Sequence, residues 1–134
     1  MSTLAKGNLL VLALLVIHTV DHAVGQPSRE LPGSSSIVGA AGFAIIAASS
    51  WLAIQRSPIA PEASAAVGAL TAAGIIAVHL FPTWWTWLSD PYWDFDPNAA
   101  SWLSLLTLLA SAAYLTAVGL SYQRFRHVKP HYRH

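Results

Sequence analysis

Four long apolar stretches, separated by short polar segments, make up most of the chain. We place them at about residues 8–24, 35–55, 61–81 and 97–122. Each approaches the roughly 20 residues that an α-helix needs to cross a bilayer, and none shows the strict alternation typical of a membrane β-strand. The pattern therefore predicts an all-α integral membrane protein, with residues 1–134 forming one four-helix bundle.

The ends of these stretches carry signals for helix starts and stops. Serines 34–36 precede the second stretch, Pro61-Glu62 opens the third, and Pro82 ends it. Asp96-Pro97 opens the fourth stretch, and a capping side chain followed by proline is typical of a helix N-terminus. We therefore expect Asp96 to cap the fourth helix, and we interpret Asp90, before Pro91, as the start of a turn.

Small residues on the second and third stretches suggest how the helices pack. On the third, alanines recur at every fourth position: Ala65, Ala69, Ala73 and Ala77. A similar row on the second consists of Ala40, Ala44 and Ala48. Because lipid provides no hydrophobic drive between helices, close backbone approach at small residues is a main source of association. We expect both rows to lie at helix contacts.

Composition supports the membrane assignment and excludes several other classes. The chain is 54% hydrophobic and 10% charged, whereas soluble domains are about 25% charged. It has no cysteine, which excludes disulfides, thiolate metal sites and cysteine nucleophiles. A net charge of +1 provides no basic surface for nucleic acid. The lipid bilayer is the partner that composition implies.

The few charges are divided between the two ends of the predicted bundle. One end carries six of the seven basic residues: Lys6, Arg56, Arg124, Arg126, Lys129 and Arg133. The other end carries five of the six acids: Asp21, Glu30, Asp90, Asp94 and Asp96. Basic loops stay in the cytoplasm. The division predicts a multi-pass protein of the cell membrane with both termini cytoplasmic, including a basic tail at 123–134.

Aromatic residues concentrate between the third and fourth helices. Five of the six tryptophans lie in or beside this loop: Trp84, Trp85, Trp87, Trp93 and Trp102. Tryptophan is enriched where membrane helices meet the headgroups. The segment at residues 83–89 is too short to span the bilayer, and we predict that it lies along the outer membrane surface.

One group of ionisable residues falls inside the apolar stretches. His18, Asp21 and His22 occupy positions i, i+3 and i+4 near the outer end of the first helix. The third helix runs in the same direction, so that His79 reaches the same level of the membrane. Ionisable groups at membrane depth are rare and usually functional. These residues are therefore the candidate site.

Several chemistries suit this group. His18, Asp21, His22 and His79 are candidate ligands for a divalent metal such as Zn²⁺, Cu²⁺ or non-haem iron. Alternatively, His79 and one imidazole of the first helix, with His22 as the candidate, hold a haem. A third alternative is proton or ion handling, and a fourth is a structural role in which the side chains hydrogen-bond to each other. The spacing lacks the glutamate of a zinc protease helix.

The sequence favours a small non-enzymatic membrane protein of accessory or assembly type, associated with another membrane protein or a second copy. A metal- or haem-binding redox protein that uses His18, His22 and His79 is the alternative.

The N-terminal segment also resembles a cleaved signal peptide, with Lys6, an apolar run from Leu9 and small residues at Ala23-Val24-Gly25. However, polar residues interrupt its apolar core. We therefore expect the first helix to remain in the protein.

Overall fold

The structure is a computed structural model that describes residues 1–25, 33–84, 88–94 and 97–127. It contains four long α-helices: α1 (Thr3–Val20), α2 (Gly33–Ile54), α3 (Ala60–Ile75) and α4 (Ala99–His127). α1 and α3 each continue into a π-helical turn, at Asp21–Gly25 and Ile76–Leu80. Four helical segments are long and apolar enough to cross a membrane. The prediction of an all-α fold with four such helices is confirmed for these residues.

Helix boundaries differ from the prediction where a capping group intervenes. α1 begins at Thr3 rather than near residue 8, because the Ser2 hydroxyl accepts a hydrogen bond from the Ala5 N–H at 3.1 Å. α4 begins at Ala99, where Asn98 Oδ1 accepts from the Ser101 N–H at 3.0 Å. The predicted cap, Asp96, lies outside the described residues, as do Glu30, Trp85, Trp87 and the tail beyond residue 127.

The helices run alternately up and down, which brings the start of α1 and the last turns of α4 to one end of the bundle. There, Leu4 and Ala5 of α1 pack against Ala53 of α2 and Ala60 of α3. We call this the basic end, after Lys6, Arg56 and Arg124. The opposite end is the acidic end, after Asp21, Asp90 and Asp94.

Between the two ends, the centre of the bundle is apolar. Val11 of α1, Ile46 of α2 and Leu108 and Leu115 of α4 are almost completely buried against one another. Burial of this kind does not favour association within lipid, because the hydrocarbon surroundings are equally apolar. Close contacts and polar bonds must therefore hold the helices together.

A close contact between α3 and α4 uses one glycine from each helix. A Cβ atom at Gly68 would lie 2.6 Å from the Ala112 carbonyl oxygen, and one at Gly119 would lie 2.7 Å from the Pro61 carbonyl oxygen. The missing side chains thus let the two backbones touch.

Of the alanine rows, only Ala65 lies at this contact, next to Gly119, and the packing prediction is wrong for most of the other members. Ala69 and Ala73 are exposed on the bundle surface, as are Ala40, Ala44 and Ala48. Four residues advance an α-helix by slightly more than one turn, so that a strict four-residue row drifts about 40° per step. On α3, the buried stripe instead follows a mixed spacing through Ser64, Gly68, Ile75 and His79.

A buried amide joins three helices near the basic end. Asn8 Nδ2 donates to Ser64 Oγ at 2.8 Å and to the Leu4 carbonyl at 2.9 Å. Ser49 Oγ donates to Asn8 Oδ1 at 2.7 Å, which adds α2 to the network. Asn8 is completely buried. Because polar groups in an apolar environment are costly without partners, this bonding fixes the register of α1, α2 and α3.

We predict that Gly68→Ala destabilises the bundle by about 1–3 kcal/mol, because the added methyl group forces α3 away from the α4 backbone. Thermal unfolding of detergent-solubilised protein, followed by circular dichroism, measures the change. Gly74→Ala is the matched control, since a Cβ at Gly74 meets nothing within 4 Å and replacing helical glycine by alanine is favourable. Equal stability of the two variants would contradict the proposed glycine contact.

Candidate metal centre

The two helices that carry the candidate histidines both leave α-helical geometry at the acidic end. His18 is in the last turn of α1, and His22 lies in the π-helical turn that follows it. His79 lies in the π-helical turn after α3, where the Phe81 N–H donates to the Ile76 carbonyl at 3.1 Å. In a π-helical turn, each hydrogen bond spans one residue more than in an α-helix, and such turns occur frequently at functional sites.

The three imidazoles converge through their Nε2 atoms. His18 Nε2 lies 3.2 Å from His79 Nε2 and 3.2 Å from His22 Nε2. One ligand atom from each ring fits within a group no wider than 4.8 Å. Metal–nitrogen bonds of 2.0–2.1 Å place the nitrogens of a tetrahedral site about 3.3 Å apart. The two close separations match an edge of such a tetrahedron.

Oxygen atoms lie at hydrogen-bond distance from the Nδ1 atoms of two rings and orient these rings. His79 Nδ1 is 3.0 Å from the Asp90 carbonyl oxygen, which only accepts hydrogen bonds. Nδ1 of His79 must therefore carry the proton, which leaves the lone pair of a neutral ring on Nε2. His18 Nδ1 is 3.0 Å from Ser104 Oγ. This is the arrangement that fixes metal-binding histidines in proteins.

Asp90 also places a carboxylate beside two of the rings. Its Oδ2 lies 3.6 Å from Nδ1 of His22 and 3.6 Å from Nδ1 of His79, and the residue is 5% exposed. The Asp90 N–H donates to the Val78 carbonyl at 2.8 Å, which docks the loop on the end of α3. The sequence predicted a turn at this position and no contact with the histidines. The signal in the sequence for this contact was an acid 11 residues after His79, in the loop that follows it.

The loop after α3 is held to the π-turn by two indoles. Trp84 Nε1 donates to the Ala77 carbonyl at 2.6 Å, and Trp93 Nε1 donates to the Leu80 carbonyl at 2.9 Å. Both side chains are exposed at the surface of the bundle. Their position along the membrane surface remains a prediction. Within the structure, they satisfy carbonyls at the end of the helix.

Tyr92 belongs to this loop and packs against one side of the histidine cluster. It is 1% exposed, and its ring centroid lies 5.1 Å from that of His79 and 6.3 Å from that of His22. Its other contact is an edge-to-face packing against Trp102 at 5.1 Å. The aromatic groups restrict the rotation of the imidazoles.

Asp21 is the predicted ligand that the structure places elsewhere. Its Oδ1 accepts a hydrogen bond from Ser101 Oγ at 3.0 Å, which ties the π-turn after α1 to the start of α4. The structure thus brings together His18, His22 and His79, while the nearby carboxylate comes from Asp90 rather than Asp21. Ser104 and Tyr92 were also not identified from the sequence.

Hydrogen bonding alone does not satisfy the contacts of His18 Nε2. A ring nitrogen carries either one hydrogen or one lone pair, both directed along a single axis. Nevertheless, two imidazole nitrogens approach this one atom at the same distance. If His18 donates to His79, the contact with His22 is left unmade. A cation between the rings accepts three lone pairs at once.

The alternative of a haem held by His22 and His79 stays a prediction. The rings of these two residues stack at 24° with centroids 5.2 Å apart. Because all three histidines offer a nitrogen to one group, the cluster favours a bare metal ion over the haem.

Comparison with known proteins adds no assignment. The chain matches no family model, no curated protein and no solved structure. The function must therefore be inferred from the geometry of the cluster.

We predict that Asp90→Asn weakens Zn²⁺ binding by about 10–100-fold, because it removes the negative charge behind two ligands while keeping the backbone contacts. Competition with a chromophoric chelator measures the affinity. Asp94→Asn is the matched control from the same loop, since Asp94 is exposed and accepts a hydrogen bond from Thr83 Oγ1. If both variants bind Zn²⁺ equally well, Asp90 does not support the site.

Proposed function

We propose that this chain is a multi-pass membrane protein that binds one transition-metal dication, with Zn²⁺ as the first choice, through His18, His22 and His79. The observation that carries the proposal is the approach of two imidazole nitrogens to within 3.2 Å of a third. Four helices able to span a membrane place this group at the end of a bundle.

The donor atoms limit the identity of the metal. Imidazole nitrogens suit zinc, copper, iron and nickel, whereas Mg²⁺ and Ca²⁺ require mainly oxygen ligands. Cu²⁺ favours tetragonal geometry, in which some ligands lie opposite each other. Three nitrogens grouped on one side of a point suit the tetrahedral preference of Zn²⁺. Copper remains the second candidate because its intrinsic affinity for nitrogen ligands is higher.

The division of charge supports an orientation in the membrane. Lys6, Arg56 and Arg124 belong to the basic end, and the histidine cluster lies at the acidic end. By the positive-inside rule, the basic end faces the cytoplasm. The metal site then lies near the outer surface of the cell membrane, and both termini are cytoplasmic.

A non-enzymatic accessory role is consistent with such a site. The ligands come from α1, from the π-turn that follows it and from the π-turn after α3, so that a bound ion joins two helices. Asp90 adds the third loop to the same group. Binding of the ion therefore stabilises the acidic end of the bundle and makes that stability depend on metal supply.

We expect protein purified in mild detergent with Zn²⁺ to contain one zinc per chain by elemental analysis. Single replacement of His18, His22 or His79 by alanine removes a ligand and abolishes stoichiometric zinc. Asp94→Asn is the control, because Asp94 is exposed and accepts a hydrogen bond from Thr83 Oγ1. Circular dichroism and size-exclusion chromatography confirm that each variant is folded.

Two results would contradict the metal proposal. One is metal-free wild-type protein after exposure to Zn²⁺, with folding unchanged in all three alanine variants, which would favour the structural role. The other is a Soret absorption band in the purified protein, which would favour haem instead.

For orientation, we expect Ala99→Cys to react with a membrane-impermeant maleimide on intact cells, and Gln55→Cys to react only after permeabilisation. Both positions are exposed, one at each end of the bundle, and the native sequence contains no cysteine. The reverse pattern would overturn the proposed orientation without affecting the metal site.

A further inference from the structure

The described part of the chain provides three ligands to the cluster rather than four. His18, His22 and His79 form the group, and each offers one nitrogen. The nearest acid, Asp90, faces the Nδ1 edges of its neighbours at 3.6 Å, away from the point on which the Nε2 atoms converge. Asp21 is engaged with Ser101.

The number of protein ligands distinguishes two kinds of zinc site. Structural sites are closed by four protein ligands, whereas sites that do chemistry use three and leave one position to water or substrate. Here, the two Nε2 separations of 3.2 Å match two edges of a tetrahedron, and the three rings together offer three of its four vertices.

Burial limits what can occupy the remaining position. His18 and His79 are 5% and 8% exposed, and Tyr92 packs against the rings of His79 and His22. The His22 side chain is 12% exposed, against 10% for the His79 side chain. With all three rings this buried, the remaining position suits a small ligand rather than a large substrate.

We infer that the metal bound by His18, His22 and His79 keeps a fourth coordination position for an exogenous small ligand, namely water or hydroxide, replaceable by a small anion. This inference rests on the proposed function. A water in that position loses a proton far more readily than bulk water, with a pKa near 7 in comparable zinc sites. The site is therefore built to hold a reactive ligand and not only to join helices.

Cobalt substitution tests the open position, because Co²⁺ replaces Zn²⁺ and its visible spectrum reports each change of ligand. Protein reconstituted with Co²⁺ is freed of excess metal by gel filtration and titrated with azide. We expect a saturable spectral change at one azide per cobalt, with cobalt retained. We also expect the azide-free spectrum to change with pH in a single step.

Two variants test whether a neighbouring side chain fills the position instead, and a third is the control. Tyr92→Phe removes the phenol nearest the cluster, Asp21→Asn removes the neighbouring carboxylate, and Asp94→Asn is the exposed control. If the wild-type cobalt protein ignores azide but Tyr92→Phe or Asp21→Asn responds, that side chain is the fourth ligand and the inference is wrong.

The same experiment separates this inference from the proposed function. Stoichiometric cobalt without an azide response in any variant overturns the open position and leaves the three-histidine site intact. Failure of the wild-type protein to retain cobalt or zinc overturns both. An azide response in wild-type protein and in Asp94→Asn supports both.

Discussion

Two imidazole nitrogens, of His22 and His79, approach a third on His18 to within 3.2 Å, and the acidic end of this bundle is arranged around that contact. His18 and His79 come from different helices, and each is oriented from behind by an oxygen, of Ser104 and of the Asp90 backbone. The π-turns, the loop that carries Asp90 and the packing of Tyr92 all act on the same three rings. Each fixes the direction of a lone pair, which is the condition for binding a metal without a large reorganisation cost.

A second constraint governs the association of the helices, because lipid provides little apolar driving force. In lipid, helices gain little from burying more hydrocarbon, so that specific contacts must define the bundle. Gly68 and Gly119 provide backbone contact between α3 and α4, and Asn8 bonds α1 to α2 and α3. Polar groups thus specify the structure near both ends.

The sequence predicted the helices of the fold better than the faces that each helix buries. Segment length and charge distribution were sufficient for four helices, and helix direction was sufficient to bring His79 to the level of His18 and His22. Helices that are apolar all round have no hydrophobic face from which to read their rotation. For this reason the alanine rows were misassigned, and Ser104 on α4 was not recognised.

Asp90 and Asp21 show the same limit for the site. Asp21 shares a helix face with His18 and His22 in an ideal α-helix, but the π-turn and Ser101 direct its carboxylate to α4. Asp90 reaches the cluster only because the loop folds back on α3 through the Val78 carbonyl. Neither the π-turn nor the fold of the loop follows from residue spacing alone. The grouping of the three histidines was therefore predictable, while the acid beside them was not.

The apolar layer formed by Val11, Ile46, Leu108 and Leu115 has a further consequence for any ion in the cluster. These side chains separate the histidines from Asn8, and a dication that crossed the layer would lose its water without gaining ligands. An ion bound as proposed would therefore exchange through the acidic end. The occupancy of the site would then follow the metal concentration at that end of the bundle.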